Sequence, residues 1–387
     1  MSITFVLLLN TVVFVSLKGA RVVMTLFAIH LGAGPFATGM LFALYGLFPF
    51  LFAVYAGRVA DRLGNHVLCY AGLAGFTAAL AMPGLFPFLP VLFITAPLVG
   101  LTSMLFIVAT QNLIGVLSTP ETRTRNYSNY SLGDAAANVA GPVLVGFTID
   151  AFSHRATYGL LAAIALACLA AFHLGRRSIP ARSGGAPPGK RSAARDLLRL
   201  PALRNALLTN GIVMAGVDLY IVFLPIHGHG AGLSASAIGL ILGTFGAAGF
   251  VARALIPPVT ARWGEYGMIA FTLAISCAAF LVIPLTGNPW LLGAASFVAG
   301  LGLGCGQPLS MILSFNAAPP GRSAEAIAMR LAVSYGSHVI IPPVFGALGA
   351  AAGVAPVFWT CAMLLGGGAV MNRKGAAASQ SGKQDEG

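Results

Sequence analysis

Long apolar runs alternate with short polar breaks along almost the whole chain. Twelve of these runs are long enough to cross a bilayer as helices, which takes ~20 mostly apolar residues. They are Ile3–Leu31, Phe36–Ala56, His66–Leu85, Pro87–Leu117, Tyr127–Asp150, Tyr158–Leu174, Asn205–Ile226, Ala235–Val259, Met268–Leu285, Trp290–Phe315, Ala324–Ala350 and Val357–Met371. One break is longer than the others. Arg176–Leu200 contains Ser-Gly-Gly-Ala-Pro-Pro-Gly and basic residues, and it reads as a linker followed by a short amphipathic basic segment near Ala193–Leu200 lying on an anionic leaflet. The predicted organisation is an N-terminal bundle over 1–175, a linker over 176–204, a C-terminal bundle over 205–371 and a disordered tail over 372–387.

Composition makes this a membrane protein. The chain is 57% hydrophobic and 8% charged, whereas a soluble domain is about 25% charged. A net charge of +12 suggests nucleic acid only until its distribution is read. Lys and Arg crowd the breaks on one side, Arg176–Arg204 above all, and the other side carries only Arg155. That asymmetry puts the basic side and both termini in the cytoplasm. The first run lacks a basic leader and a cleavage signature, so it reads as a retained helix. Cys69, Cys168, Cys277, Cys305 and Cys361 lie scattered in apolar runs without C-x-x-C spacing, which points to packing and to neither disulfide nor metal.

The chain repeats itself. A shift of 200 positions sets Ala37-Thr38-Gly39 against Ala237-Ile238-Gly239, Gly46 against Gly246, and Asp61-Arg62-Leu63-Gly64 against Ala261-Arg262-Trp263-Gly264. In the same register Pro120 meets Pro320, and Pro142 and Gly146 meet Pro342 and Gly346. A six-run repeat enters the membrane twice with the same orientation. It predicts two six-helix bundles related by an axis along the membrane normal, with a site between them.

The break Gly57-Arg58-Val59-Ala60-Asp61-Arg62-Leu63-Gly64 has the pattern G-x-x-x-D-R-x-G and resembles the loop between the second and third helices of the major facilitator superfamily. The twelve runs, the repeat, the basic linker and Pro120-Glu121-Thr122-Arg123 extend that resemblance over about residues 3–371. Gly133, Gly141-Pro142 and Gly146 resemble the fifth-helix signature of the family's exporters, with Ala137 and Val145 departing from it; glycines at this spacing also permit close helix packing. The resemblance implies an all-α fold of two pseudo-symmetric bundles, with Gly57, Arg58, Asp61, Arg62 and Gly64 in a cytoplasmic gate. It also implies that the start of the eleventh helix, near Arg322, meets Asp61 on closure. The fourth-helix arginine of many proton-coupled members is absent, since Ala96 stands four residues before Gly100.

Charges at bilayer depth are costly, so each points to a pathway or a partner. They are Lys18, Arg21, Asp134, Asp218, Arg253 and Arg330, with His338 close by. Tyr130, Asp134 and Asn138 share one face of the fifth helix, and Arg330, Ser334 and His338 occupy the same positions in the repeat. Lys18 corresponds to Asp218. These stripes fall on helices that the resemblance assigns to a cavity, and they predict substrate or coupling residues, with Asp134 and Asp218 as proton carriers. Structural ion pairs, such as Lys18 with Asp218 or Asp134 with Arg330, explain single residues equally well. His227 and His229 read as interfacial, and Arg253 has no assigned partner. Without a phosphate-binding G-x-x-x-x-G-K-[ST], transport needs an ion gradient. The expected function is therefore non-enzymatic: a monomeric, cofactor-free, proton-linked exporter of a small organic solute in the bacterial inner membrane, surrounded by lipid. The alternatives are uptake of a small organic anion, motivated by the excess of cations at membrane depth, and a receptor-like relative that moves nothing.

Overall fold

The computed structural model describes residues 3–175, 194–319 and 322–384. Side chains of 53–63, 120, 124, 194–195, 254–255, 257, 323–324, 328 and 374–384 lie outside the described set. The described elements are helices, and twelve are long and apolar enough to span a membrane. In chain order they are α1 (Ile3–His30), α2 (Pro35–Leu63), α3 (Asn65–Leu85), α4 (Leu89–Leu117), α5 (Pro120–Ala151), α6 (His154–Gly175) and α7 (Pro201–Gly230). The helical stretch Ala235–Val282 breaks at Gly264, giving α8 (235–263) and α9 (265–282). Then follow α10 (Pro289–Asn316), α11 (Ser323–Ala352) and α12 (Val354–Gln384). The face that carries Gly64, Gly264 and residues 194–200 is called the linker face below, and the other end the opposite face.

Local chemistry sets these boundaries. Thr119 and Thr122 form a reciprocal capping box, and Pro120 opens α5. The Ser234 and Asn288 side chains accept backbone N–H bonds at the starts of α8 and α10. Two tight turns repeat closely between the halves, at Gly64 and Gly264, where φ is 85° and 72°. Only glycine adopts that left-handed backbone without cost.

Three expectations are corrected. The charged hairpin spread over residues 57–64 shrinks to a turn at Gly64, because Gly57 through Leu63 continue α2 as helix. The segment expected to lie on lipid is a short 3-10 helix, Ala194–Arg199, and its Leu197 is fully buried against Leu203, Leu207 and Ala326. Protein takes up Leu197, while Leu198 beside it remains 48% exposed. Of the tail expected to be disordered over 372–387, the described residues run as helix to Gln384, and 385–387 lie outside the described set.

The two bundles meet along α2–α11 and α5–α8, and the contacts obey the repeat. Gly39 lies against the Pro342 carbonyl and Gly239 against that of Pro142. Gly46 meets His338, and Gly246 meets Asn138. Gly146 abuts Ala235, and Gly346 abuts Pro35 and Phe36. A methyl group at any of these six glycines meets a neighbouring atom within 3.0 Å, so the absence of a side chain is what permits backbone contact. The seam loosens toward the linker face, where a Cβ placed on Gly336 meets the Phe50 ring only at 3.7 Å and one on Gly249 meets nothing within 4 Å.

Candidate functional site

Between the bundles, on the linker side of this seam, lies a cavity of about 270 Å³. Its charged and polar lining comes from Lys18 and Arg21 on α1, Asp134 and Asn138 on α5, Asp218 on α7, Arg253 on α8, Gln307 on α10 and His338 on α11. Apolar surface comes from Leu242, Leu303 and the stacked rings of Tyr220 and Phe245, whose centroids lie 4.2 Å apart.

Each bundle pairs its own carboxylate with a basic side chain. Lys18 Nζ lies 3.0 Å from Asp134 Oδ1, and both side chains remain partly exposed, by 23% and 31%. Asn138 Nδ2 donates to Asp134 Oδ2 at 3.2 Å. In the second bundle His338 Nδ1 lies 2.7 and 2.8 Å from the two oxygens of Asp218, which is itself fully buried. The pairs drawn from sequence, Lys18 with Asp218 and Asp134 with Arg330, are thus replaced by Lys18–Asp134 and Asp218–His338. The reason is distance: α1 packs on α5 and α7 on α11 within each bundle.

Two cations line the cavity without an ion pair among the described residues. Arg21 lies over Tyr45, with its guanidinium carbon 4.7 Å from the ring centroid, and 5.3 Å from that of Phe42. Its buried Nε has no hydrogen-bond partner among the described residues. Arg253 faces the same cavity as Asp134 and supplies part of that carboxylate's electrostatic surroundings.

Not every residue of the polar stripes reaches the cavity wall. Arg330 Nη1 donates to Asn210 Oδ1 at 3.1 Å, and Asn210 Nδ2 donates to Ser334 Oγ at 2.9 Å. Tyr130 OH accepts from Gln111 Nε2 at 3.0 Å. Tyr130, Arg330 and Ser334 therefore serve helix–helix contacts beside the cavity. Asn210 was not singled out from sequence, although the repeat marks it. Thr110 donates to Asn10 Oδ1 at 3.2 Å, and Ser310 donates to Asn210 Oδ1 at 3.1 Å, in the same register.

Gly133 and Gly141 pack against α1, at Thr11 and at Val15–Gly19, while Pro142 and Gly146 face α8. The side chains of Arg58, Asp61 and Arg62 lie outside the described residues. Arg322 forms an ion pair with Glu325 at 2.6 Å. A different carboxylate bridges the bundles, at the opposite face: Asp150, ending α5, accepts from the backbone N–H of Ala235 at 3.1 Å and of Ser236 at 2.8 Å, at the start of α8. Those amides are among the four that a helix start leaves unpaired. The repeat partner of Asp150 is Ala350, so this bridge is one-sided.

Comparison with known proteins agrees with this architecture. The family model of the Major Facilitator Superfamily matches residues 6–329 and, in a second alignment, 206–383. The chain is 23% identical over 308 residues to the "Uncharacterized MFS-type transporter YceJ" of Bacillus subtilis (strain 168), covering 78% of this chain and 77% of that protein. It is 24% identical over 257 residues to "Multidrug resistance protein 1" of the same organism, covering 65% and 64%. The crystal structure of a mutant of the nucleoside transporter NupG superposes with a TM-score of 0.80 at 13% identity, covering 97% of this chain and 99% of that one, and so shares the fold. This chain, an integral multi-pass membrane protein and a transporter, belongs to the Major Facilitator Superfamily.

Proposed function

We propose that the protein exports a small organic solute from the bacterial cytoplasm in exchange for protons, by rocking its two bundles about the cavity. One observation carries this reading: each bundle places one carboxylate on the cavity, Asp134 or Asp218, and pairs it with a base, Lys18 or His338. Protonating either carboxylate releases its base, which changes both the charge offered to solute and the pairing within that bundle. That is a differential interaction of the kind that biases a two-state equilibrium. A relative named for multidrug resistance and the partial fifth-helix signature support the outward direction. The basic loops favour a cytoplasmic linker face, and the bundles then pack most closely on the outer side of the seam. Labelling of single cysteines from outside then reaches residue 153 and not residue 190; the reverse pattern overturns the orientation.

The coupling test is Asp134→Asn and Asp218→Asn in proteoliposomes, using solutes found by a thermal-shift screen on the parent. Each variant is expected to lose at least tenfold of gradient-driven flux. Full flux in both overturns proton coupling through these groups. A second reading, uptake of a small organic anion, is favoured by Arg21 and Arg253, which give the cavity three fixed cations with Lys18 against two carboxylates. Inward flux of anionic hits without outward exchange selects it.

A further inference from the structure

A second cavity, of about 510 Å³, lies away from the central path, on the outer flank of the second bundle between α9 and α12. Its walls are small: Gly267 and Ala270 on α9, Gly366 and Ala369 on α12, with Cys277 deeper in the same groove. Phe271 and Val370 at its rim are 47% and 57% exposed, so the groove opens sideways, where a spanning protein meets lipid. Arg373 stands at the end where α12 reaches the linker face.

The repeat shows what the groove would contain by default. In the first bundle the corresponding residues are Val67, Tyr70, Leu166, Leu169 and His173. There Tyr70 fills the space, its ring 5.2 Å from that of Phe172 and its hydroxyl 3.1 Å from His173 Nδ1. The second bundle replaces four large side chains by Gly267, Ala270, Gly366 and Ala369 and the histidine by an arginine, while Phe271 and Val370 at the rim stand where the first bundle has Ala71 and Ala170. The result is an apolar trough with a permanent cation at its headgroup end. An unfilled apolar trough forfeits packing on its whole lining, and between helices a basic residue at this depth suits a phosphate.

We propose that this groove binds an anionic phospholipid of the linker-face leaflet, an acyl chain lying between α9 and α12 and the phosphate on Arg373. The site is independent of the central cavity and of what that cavity transports. Trp263 provides a reporter, since its ring packs edge-on to Phe271 at 5.2 Å. The chain has three tryptophans, so Trp290→Phe with Trp359→Phe leaves Trp263 alone. In vesicles of phosphatidylcholine, dibrominated phosphatidylglycerol is expected to quench Trp263 about threefold more strongly than dibrominated phosphatidylcholine at equal mole fraction. Arg373→Gln removes the difference and Arg373→Lys keeps it. Ala270→Tyr with Gly366→Leu, which restores the first bundle's residues and leaves Arg373 in place, also removes it. Charge attraction to a basic face alone predicts that the groove-filling variant keeps the preference, and that result overturns the proposal. Equal quenching by both lipids in the parent overturns it too, as does a dimer by light scattering that dissociates when Gly366 becomes Leu, which assigns the groove to a second copy of the chain.

Discussion

The two bundles share a skeleton and differ in the residues that do chemistry. Both turn at a left-handed glycine between their second and third helices, and both bury the same kind of asparagine under a hydroxyl. Both press glycines against the other bundle in matched positions. Most other positions differ between the halves, and four departures bear on chemistry. Lys18 becomes Asp218, Asn138 becomes His338, Asp150 becomes Ala350, and Tyr70 becomes Ala270. Closure of two bundles about a pseudo-two-fold needs the same close approach on both sides, so packing positions stay matched. A carboxylate bridge between bundles, or the proposed lipid site, needs one copy, so those positions are free to diverge.

The seam gives the largest test of this comparison. Gly39→Val and Gly239→Val each drive a side chain into a proline carbonyl of the other bundle. Both are expected to cut flux by more than tenfold and to raise cysteine accessibility at the opposite face by similar amounts. A large effect from one and none from the other breaks the symmetry argument.

The paired asparagines come next, and here the halves should differ. Asn210 holds Ser310, Arg330 and Ser334 together, whereas Asn10 accepts from Thr110 and leaves its buried Nδ2 without a partner among the described residues. At about 0.6 kcal/mol per interhelical bond, Asn210→Ala is expected to cost about 2 kcal/mol and Asn10→Ala roughly 0.6 kcal/mol. Unfolding titrations in mixed micelles measure both, and equal losses would show that the extra bonds of Asn210 add nothing.

The latch is the smallest effect. A carboxylate at an exposed helix start contributes about 0.3–1 kcal/mol, so Asp150→Ala should shift the closed population at the opposite face by roughly two- to fivefold. Labelling rates at residue 153 read that shift. Ala350→Asp, which adds the missing copy near the start of α2, sharpens the test: Pro35 opens that helix and offers no N–H, so little gain is expected.

The spans, the repeat and the buried charges were legible because each rests on composition at fixed spacing. Hydrocarbon demands runs of apolar residues, and it makes every charge within them conspicuous. Lys18, Arg21, Asp134, Asp218, Arg253 and His338 were named on that ground and line the cavity, and Asn138, named for sharing a face with Asp134, lines it too. Tyr130, Arg330 and Ser334 belong to the same stripes but bond to neighbouring helices beside the cavity, because a polar stripe on a helix face points toward neighbouring helices as readily as toward water. The charged hairpin was over-read, since flanking glycines mark where a chain is able to turn, and Gly57 does not turn.

By itself, then, the sequence determined a twelve-span membrane protein built from a doubled six-helix unit, and which charges must be accounted for. Their pairing was decided only by tertiary structure, because helices adjacent within a bundle bring Lys18 to Asp134 and His338 to Asp218 before any partner across the cavity comes within reach. The docking of Asp150 on α8 depends in the same way on the packing of α5 against α8. So does the trough beneath Arg373, whose shape is a property of two packed helices and of neither alone. Periodicity along one chain carries the face a residue occupies; which face it meets is settled only when rigid bundles pack.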